Sequence, residues 1–114
     1  MRKQYHFRQV GQDTYIWDVH DLIALSQDLP IQCVELSKIK ELDEPYWYPN
    51  KRPTTREIAE HFRLVNEADL RYPIILCADG RVMDGMHRVV KAYLNNLTQI
   101  QAVQFLQTPR PNFI

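Results

Sequence analysis

Aromatic or β-branched residues alternate with polar ones across KQYHFRQVGQDTYIWD, residues 3 to 18, on either side of Gly11-Gln12-Asp13. A period of two broken by a turn predicts an antiparallel hairpin, so residues 1 to 18 are read as an N-terminal hairpin. From Val19 to Leu29 the positions Val19, Leu22, Ile23, Ser26 and Leu29 step by three and four, which predicts a helix over 19–28 that stops before Pro30. IQCVEL, residues 31 to 36, follows as a strand.

The stretch SKIKELDEPYWYPNKRP, residues 37 to 53, has no sustained period and reads as a long loop, a kind of segment that often carries function. Thr54-Thr55-Arg56-Glu57 then forms a capping-box pattern, predicting a helix over 54–68 with the apolar stripe Ile58, Phe62 and Val65. PIILC, residues 73 to 77, is a continuous apolar run, as expected of a strand covered on both faces. Asp79-Gly80 supplies the positive φ of a hairpin turn into RVM, and Asp84-Gly85 opens a helix over 85–96 with Met86, Val89, Val90, Tyr93, Leu94 and Leu97 as its buried stripe. QIQAVQF, residues 99 to 105, alternates and closes the pattern as a strand, and LQTPRPNFI ends the chain as an extension.

The order of elements predicts an α+β fold, a small mixed sheet with about three helices. A chain of 114 residues suits a single domain, 1–114. Fourteen basic and fourteen acidic residues cancel, which argues against a phosphate-tracking surface for DNA; any anion site has to be local. Cys33 and Cys77 lie in apolar runs outside any Cys-x-x-Cys pair and are expected to be buried, reduced thiols. MRKQYHFRQ has no apolar signal core, and no apolar run approaches the roughly 18 residues of a membrane helix. A cytoplasmic protein without membrane contact is expected.

Candidate chemistry concentrates in GRVMDGMHRVVKA, residues 80 to 92. His87 and Arg88 fall in the first turn of the predicted helix, where the dipole disfavours cations unless an anion is bound there. Gly85 allows close approach of a ligand, and Arg88 can fork onto two oxygens. The alternative is that Asp84 is an ordinary N-cap, Gly85 serves the turn, and the cations face water or a surface carboxylate.

Lys51, Arg52, Thr54 and Thr55 at the preceding helix start offer a second anion-friendly terminus, or a plain capping box. Trp47 or Tyr48 either stacks on a base or pins the loop to the core. Glu41, Asp43 and Glu44 repel one another unless magnesium or a basic side chain such as Arg52 compensates them, or they form a solvated acidic loop. His6, His20 and His61 lack metal-like spacing and receive no role, and no metal ligand set is read from the sequence.

The order strand, Asp-Gly turn, strand, Gly-x-His-Arg, amphipathic helix and closing strand in PIILCADGRVMDGMHRVVKAYLNNLTQIQAVQF resembles the core of the ParB/sulfiredoxin superfamily, loosely over 31–105 and closely over 73–105. Sulfiredoxins carry a nucleophilic Cys where this chain has Met86, and a thioether cannot act as a thiolate, so that chemistry is not expected. ParB partition proteins continue into helix-turn-helix and dimerisation domains for which this chain has no residues.

Asp84-Gly85-Met86-His87-Arg88 matches the Asp-Gly-His-His-Arg of ADP-dependent free serine kinases at every position but Met86, and "LDEPYW" with "DGMHR" is similar to small bacterial ParB-like proteins without an assigned activity. The resemblance implies a nucleotide or other phosphate-bearing partner held by Gly85, Met86, His87, Arg88, Arg52, Thr54, Thr55 and Trp47. It also implies one of Glu41, Asp43 or Glu44 as base toward the substrate hydroxyl, with ATP, ADP or CTP as cofactor; Asp84 reads from its own position equally as an N-cap or as a base or magnesium ligand, with Mg2+ as a companion of the nucleotide.

Three functional readings stand. The first is a nucleotide- or phosphate-binding domain that transfers a phosphoryl group to a small hydroxylated substrate, as a kinase-like phosphotransferase would. The second is a non-catalytic anion-binding module acting through a protein partner. A DNA-binding or nuclease role, the third, fits poorly with zero net charge and no reading helix. Edge strands in so small a sheet also make a homodimer a candidate assembly.

Overall fold

The alternating N-terminal segment folds as the pattern demands. In the computed structural model, which describes residues 4–114, β1 (Tyr5–Val10) pairs antiparallel with β2 (Asp13–Asp18) in the register Tyr5↔Asp18 to Val10↔Asp13. The first three residues of the 1–18 segment lie outside the described part. Asp18 then caps α1 (Val19–Leu25), its Oδ1 accepting the His20 N–H at 2.9 Å.

β3 (Gln32–Glu35) leads into two short 3-10 helices, Leu36–Lys38 and Lys40–Asp43. Helix α2 (Thr55–Glu67) precedes β4 (Ile74–Leu76) and β5 (Val82–Asp84), and α3 (Met86–Leu94) leads to β6 (Gln99–Gln104). The second sheet has the order β3-β6-β4-β5, with β6 antiparallel to β3 and parallel to β4, and β5 antiparallel to β4. The protein is thus a small α+β domain with a mixed sheet. No helix among the described residues is long and apolar enough to cross a membrane.

The unbroken apolar run at β4 is explained by cover on both faces. Ile74 and Leu76 belong to a core with Val82, Met86, Val89 and Ala102, whereas Ile75 and Cys77 meet Trp17, Leu22, Met83 and Val103 on the other side. Successive strand residues point to opposite faces, so a strand covered twice needs every position apolar. Helix α3 lies on the first face, and the hairpin with α1 covers the second.

Several sequence expectations change here. Of the α2 stripe only Val65 is buried, while Ile58 and Phe62 are 43% and 58% exposed. The cause is that α3 occupies the sheet and α2 leans on α3 through one edge, where Lys91 Nζ donates to the Asn66 and Ala68 carbonyls at 2.9 and 2.7 Å. In α3 the sheet-facing positions are Met86, Val89 and Ala92; Tyr93, Leu94 and Leu97 are exposed because the helix ends as it clears the sheet. Cys77 is buried as expected, but Cys33 is exposed, since β3 is an edge strand with one uncovered face.

The C-terminal extension is tied down. Trp17 Nε1–H donates to the Pro109 carbonyl at 2.9 Å, and Ile16 bridges to Phe113. Asn112 Oδ1 accepts the Asp18 N–H at 2.9 Å while its Nδ2 donates to Asp21 Oδ2 at 2.7 Å. One amide side chain thereby clamps the tail to the start of α1. Asn112→Ala is expected to lower stability by about 1 to 2 kcal/mol, read from urea unfolding, because two side-chain hydrogen bonds go at once. An unchanged midpoint would mean that the tail does not hold the hairpin.

Candidate functional site

The last helix starts where a glycine is needed. Gly85, at φ 104, is the N-cap of α3 and offers no side chain to the cap; Asp84, a candidate for that role in the sequence, is instead the last residue of β5. A Cβ on Gly85 would come within 2.6 Å of Ile74 Cγ2 and 3.1 Å of Arg88 Nη2. Met86 faces the core and is buried. The Arg88 and Val89 N–H groups both donate to the Gly85 carbonyl, at 2.9 and 3.1 Å, and the Met86 and His87 amides ahead of them have no intrahelical acceptor, so the terminus retains its partial positive charge.

Arg88 does not stand free. Its Nη1 donates to the Tyr72 and Pro73 carbonyls at 3.0 and 2.8 Å, and its Nη2 donates to Asp84 Oδ2 at 2.9 Å, with both side chains largely buried. It thus fastens the approach to β4 onto the end of β5. A cleft of about 710 Å3 under α1, with Ile23, Leu29, Ile75 and Val103 in its walls, reaches this ion pair.

His87, the second residue of α3, meets a partner to which the sequence reading gave no role. His61 Nδ1 of α2 lies 3.0 Å from His87 Nε2, a hydrogen bond in which one ring donates and the other accepts. Trp47 from the long loop stacks over both, with ring centroids 4.2 Å from His61 and 4.7 Å from His87. Tyr46 and Tyr48 abut this stack edge-on, Tyr46 against Trp47 and Tyr48 against His61. Burial lowers the pKa of both imidazoles; His61 and Arg88 lower that of His87 further, and Glu57 partly offsets the effect on His61. Residues 26 positions apart on two helices leave no local pattern by which the pair could be found.

The acidic trio separates. Glu41 is 2% exposed: its Oε2 accepts the Val82 N–H at 2.6 Å and lies 3.3 Å from Arg81 Nε, while its Oε1 is buried with no hydrogen-bond partner among the described residues. Glu44 takes the other edge of the same guanidinium in two bonds of 2.9 and 2.6 Å, which holds its carboxyl below the usual range. Asp43 turns away to a cleft of about 660 Å3 that also touches Leu36, Tyr93 and Gln99. The compensating cation is therefore Arg81, not Arg52. Tyr46 is pushed up to about 12, first by burial and then by Glu41 and Asp84, so its phenol senses both carboxylates.

The second helix start is a formed capping box. Thr54 Oγ1 accepts the Glu57 N–H at 3.2 Å and Glu57 Oε1 accepts the Thr54 N–H at 3.0 Å, with Lys51 Nζ 2.8 Å from Glu57 Oε2. Thr54 is thus committed to the cap, and Arg52 and Thr55 are exposed beside it. No three His, Cys, Asp or Glu side chains converge as a metal set among the described residues.

The loop, the middle of α2 and the start of α3 thus form a stacked imidazole pair beside a helix terminus, and Tyr46 connects it to the buried Glu41, abutting Trp47 edge-on while its phenol senses Glu41 and Asp84. No family model, curated protein or solved structure matches the chain, so the reading of this site rests on its own geometry.

Proposed function

We propose that the protein binds a nucleotide or another phosphate-bearing small molecule over the first turn of α3, and that Glu41 accepts a proton there during phosphoryl transfer to a small hydroxylated substrate. The observation that carries this reading is Glu41 Oε1. Buried polar atoms are almost always hydrogen-bonded, so this carboxylate oxygen has acceptor capacity to spare, which a substrate hydroxyl would use once the contact covering it opens. Arg81 and the Val82 N–H hold the other oxygen, which aims the carboxylate.

In the proposed step the substrate O–H gives its proton to Glu41 and its oxygen attacks phosphorus. The bond to the leaving phosphate breaks, and that group departs with the electron pair. Such transfers depend on positioning and charge stabilisation rather than a covalent nucleophile. His87 and the free amides of α3 are the donors for phosphate oxygens, and Trp47 supplies an aromatic wall. Arg88 acts by fixing Asp84 and by adding positive potential behind the helix start. Magnesium, which is commonly held by one or two carboxylates together with phosphates, would accompany the nucleotide and neutralise phosphate charge, with Glu41 or Asp84 as its protein ligand.

A ligand at roughly a hundred times its Kd adds about 2.7 kcal/mol to stability, so thermal shift is a sensitive test. ADP, ATP, CTP, GTP and inorganic phosphate, each with and without magnesium, are the probes, and at least one is expected to raise Tm. If none does, the reading fails. Glu41→Gln is expected to keep the shift and to abolish turnover.

A second reading, a non-catalytic binding module, is favoured by the bond from Val82 N–H, which gives Glu41 structural work on its own. Ligand-induced stabilisation with no turnover in the native protein, over a panel of hydroxylated amino acids and sugars, would select it.

A further inference from the structure

The hydrogen-bonded imidazoles restrict each other's protonation. His87 uses Nε2 for His61, so only its Nδ1, the ring nitrogen nearer the backbone of the first turn, remains for a ligand. Two neutral rings can share the bond in two ways. If His61 Nδ1–H donates, His87 carries its own hydrogen on Nδ1 and offers a neutral donor. If His87 Nε2–H donates, its Nδ1 is a bare lone pair that repels an oxyanion. Trp47 stacked on both rings holds them in plane and opposes a ring flip that would exchange the nitrogens.

We infer that His61 is a positioning residue for the anion site: by donating Nδ1–H to His87 Nε2 it places the hydrogen of His87 on Nδ1, facing a phosphate-bearing ligand at the start of α3. The inference rests on the binding reading above and adds a residue on another helix to it. Either arrangement keeps both rings neutral at a half-buried position where Arg88 disfavours an imidazolium, so the choice between them falls to the ligand. An oxyanion selects the first because only that tautomer gives the anion a hydrogen bond. Glu57 on α2 and Asp84 on β5 are the carboxylates that act on the two rings, His61 and His87 respectively.

The experiment records imidazole 15N–1H correlations of the native protein near neutral pH, titrated with inorganic phosphate and with ADP, ATP, CTP and GTP, beside His61→Phe and His61→Gln. Phenylalanine keeps a ring for Trp47 but cannot donate; glutamine restores an N–H donor. With ligand, His87 is expected in the Nδ1–H form in the native protein; in His61→Phe without ligand it is expected to relax to the Nε2–H form, because Nε2 no longer accepts a hydrogen bond. Affinity in His61→Phe should fall about five- to tenfold, the size of one neutral hydrogen bond, and His61→Gln should recover part of it.

Ligand binding with His87 in the Nε2–H form, or with equal affinity in His61→Phe, overturns the positioning role and leaves the binding reading standing. No perturbation by inorganic phosphate or by ADP, ATP, CTP or GTP up to millimolar concentrations overturns both. Chelation of zinc by the two rings at micromolar concentration, lost in either His variant and blocking phosphate, would show the pair to be a metal ligand set and also overturn the inference.

Discussion

Gly85→Ala is expected to destabilise the domain by about 3 kcal/mol, since it combines left-handed backbone strain with a core clash. At φ 104 the residue sits where a side chain is strained whatever the space, and the added methyl would lie 2.6 Å from Ile74 Cγ2 and 3.0 Å from Ile74 Cβ. Ile74 is fully buried and cannot retreat without opening the contact between β4 and α3. Gly11→Ala is the control: its φ of 62 is also positive, but nothing lies within 4 Å of the new Cβ. That variant should cost only about 1 kcal/mol. Equal losses in urea unfolding would mean that Ile74 yields and that backbone strain alone explains the glycine. The contrast bears on the site, because it gives Gly85 a reason to be glycine that needs no ligand.

Stability is expected to decline as pH falls from about 6.5 towards 4, with His6 the largest contributor. Burial first, and Arg8 second, bring His6 down from 6.5 to about 4; from β1 its ring packs tilted against Trp17, and its Nε2 lies 3.3 Å from Arg8 Nη2. A base with a lowered folded pKa binds fewer protons in the native than in the unfolded state. Its stabilisation is therefore complete above the unfolded value and is lost as pH drops towards the folded one. For His6 the full loss is on the order of 3 kcal/mol. His61 and His87 shift in the same direction and add to it. Glu44 and Glu57, held low by Arg81 and Lys51, add their share only as pH falls below their ordinary value of 4.5, so the interval above it isolates the histidines. His6→Phe should flatten the profile of urea midpoints there. A native protein equally stable across the interval would show that the imidazole is hydrated and the hairpin less closely packed on the core.

What the amino-acid order decides by itself are the features that depend on near neighbours. Alternation with a glycine turn makes the N-terminal hairpin, Thr54 with Glu57 makes the capping box, and an unbroken apolar run makes β4 a strand covered twice. The same order brings Asp84, Gly85 and His87 to one strand-to-helix turn, since they are adjacent in the chain. Tertiary structure decides everything that depends on who covers whom. A period of 3.6 states that a helix has an apolar side but not which element will cover it, so α3 takes the sheet and leaves Ile58 and Phe62 of α2 exposed. Likewise, residue type states that Arg88, Glu41 and His61 want partners but not which ones. Asp84 is four positions from Arg88 and could have been guessed; Val82 is 41 positions from Glu41 and His87 is 26 from His61. Those long-range pairings arise only when loop, sheet and helices pack together, because burial then favours each polar group that finds a partner within reach.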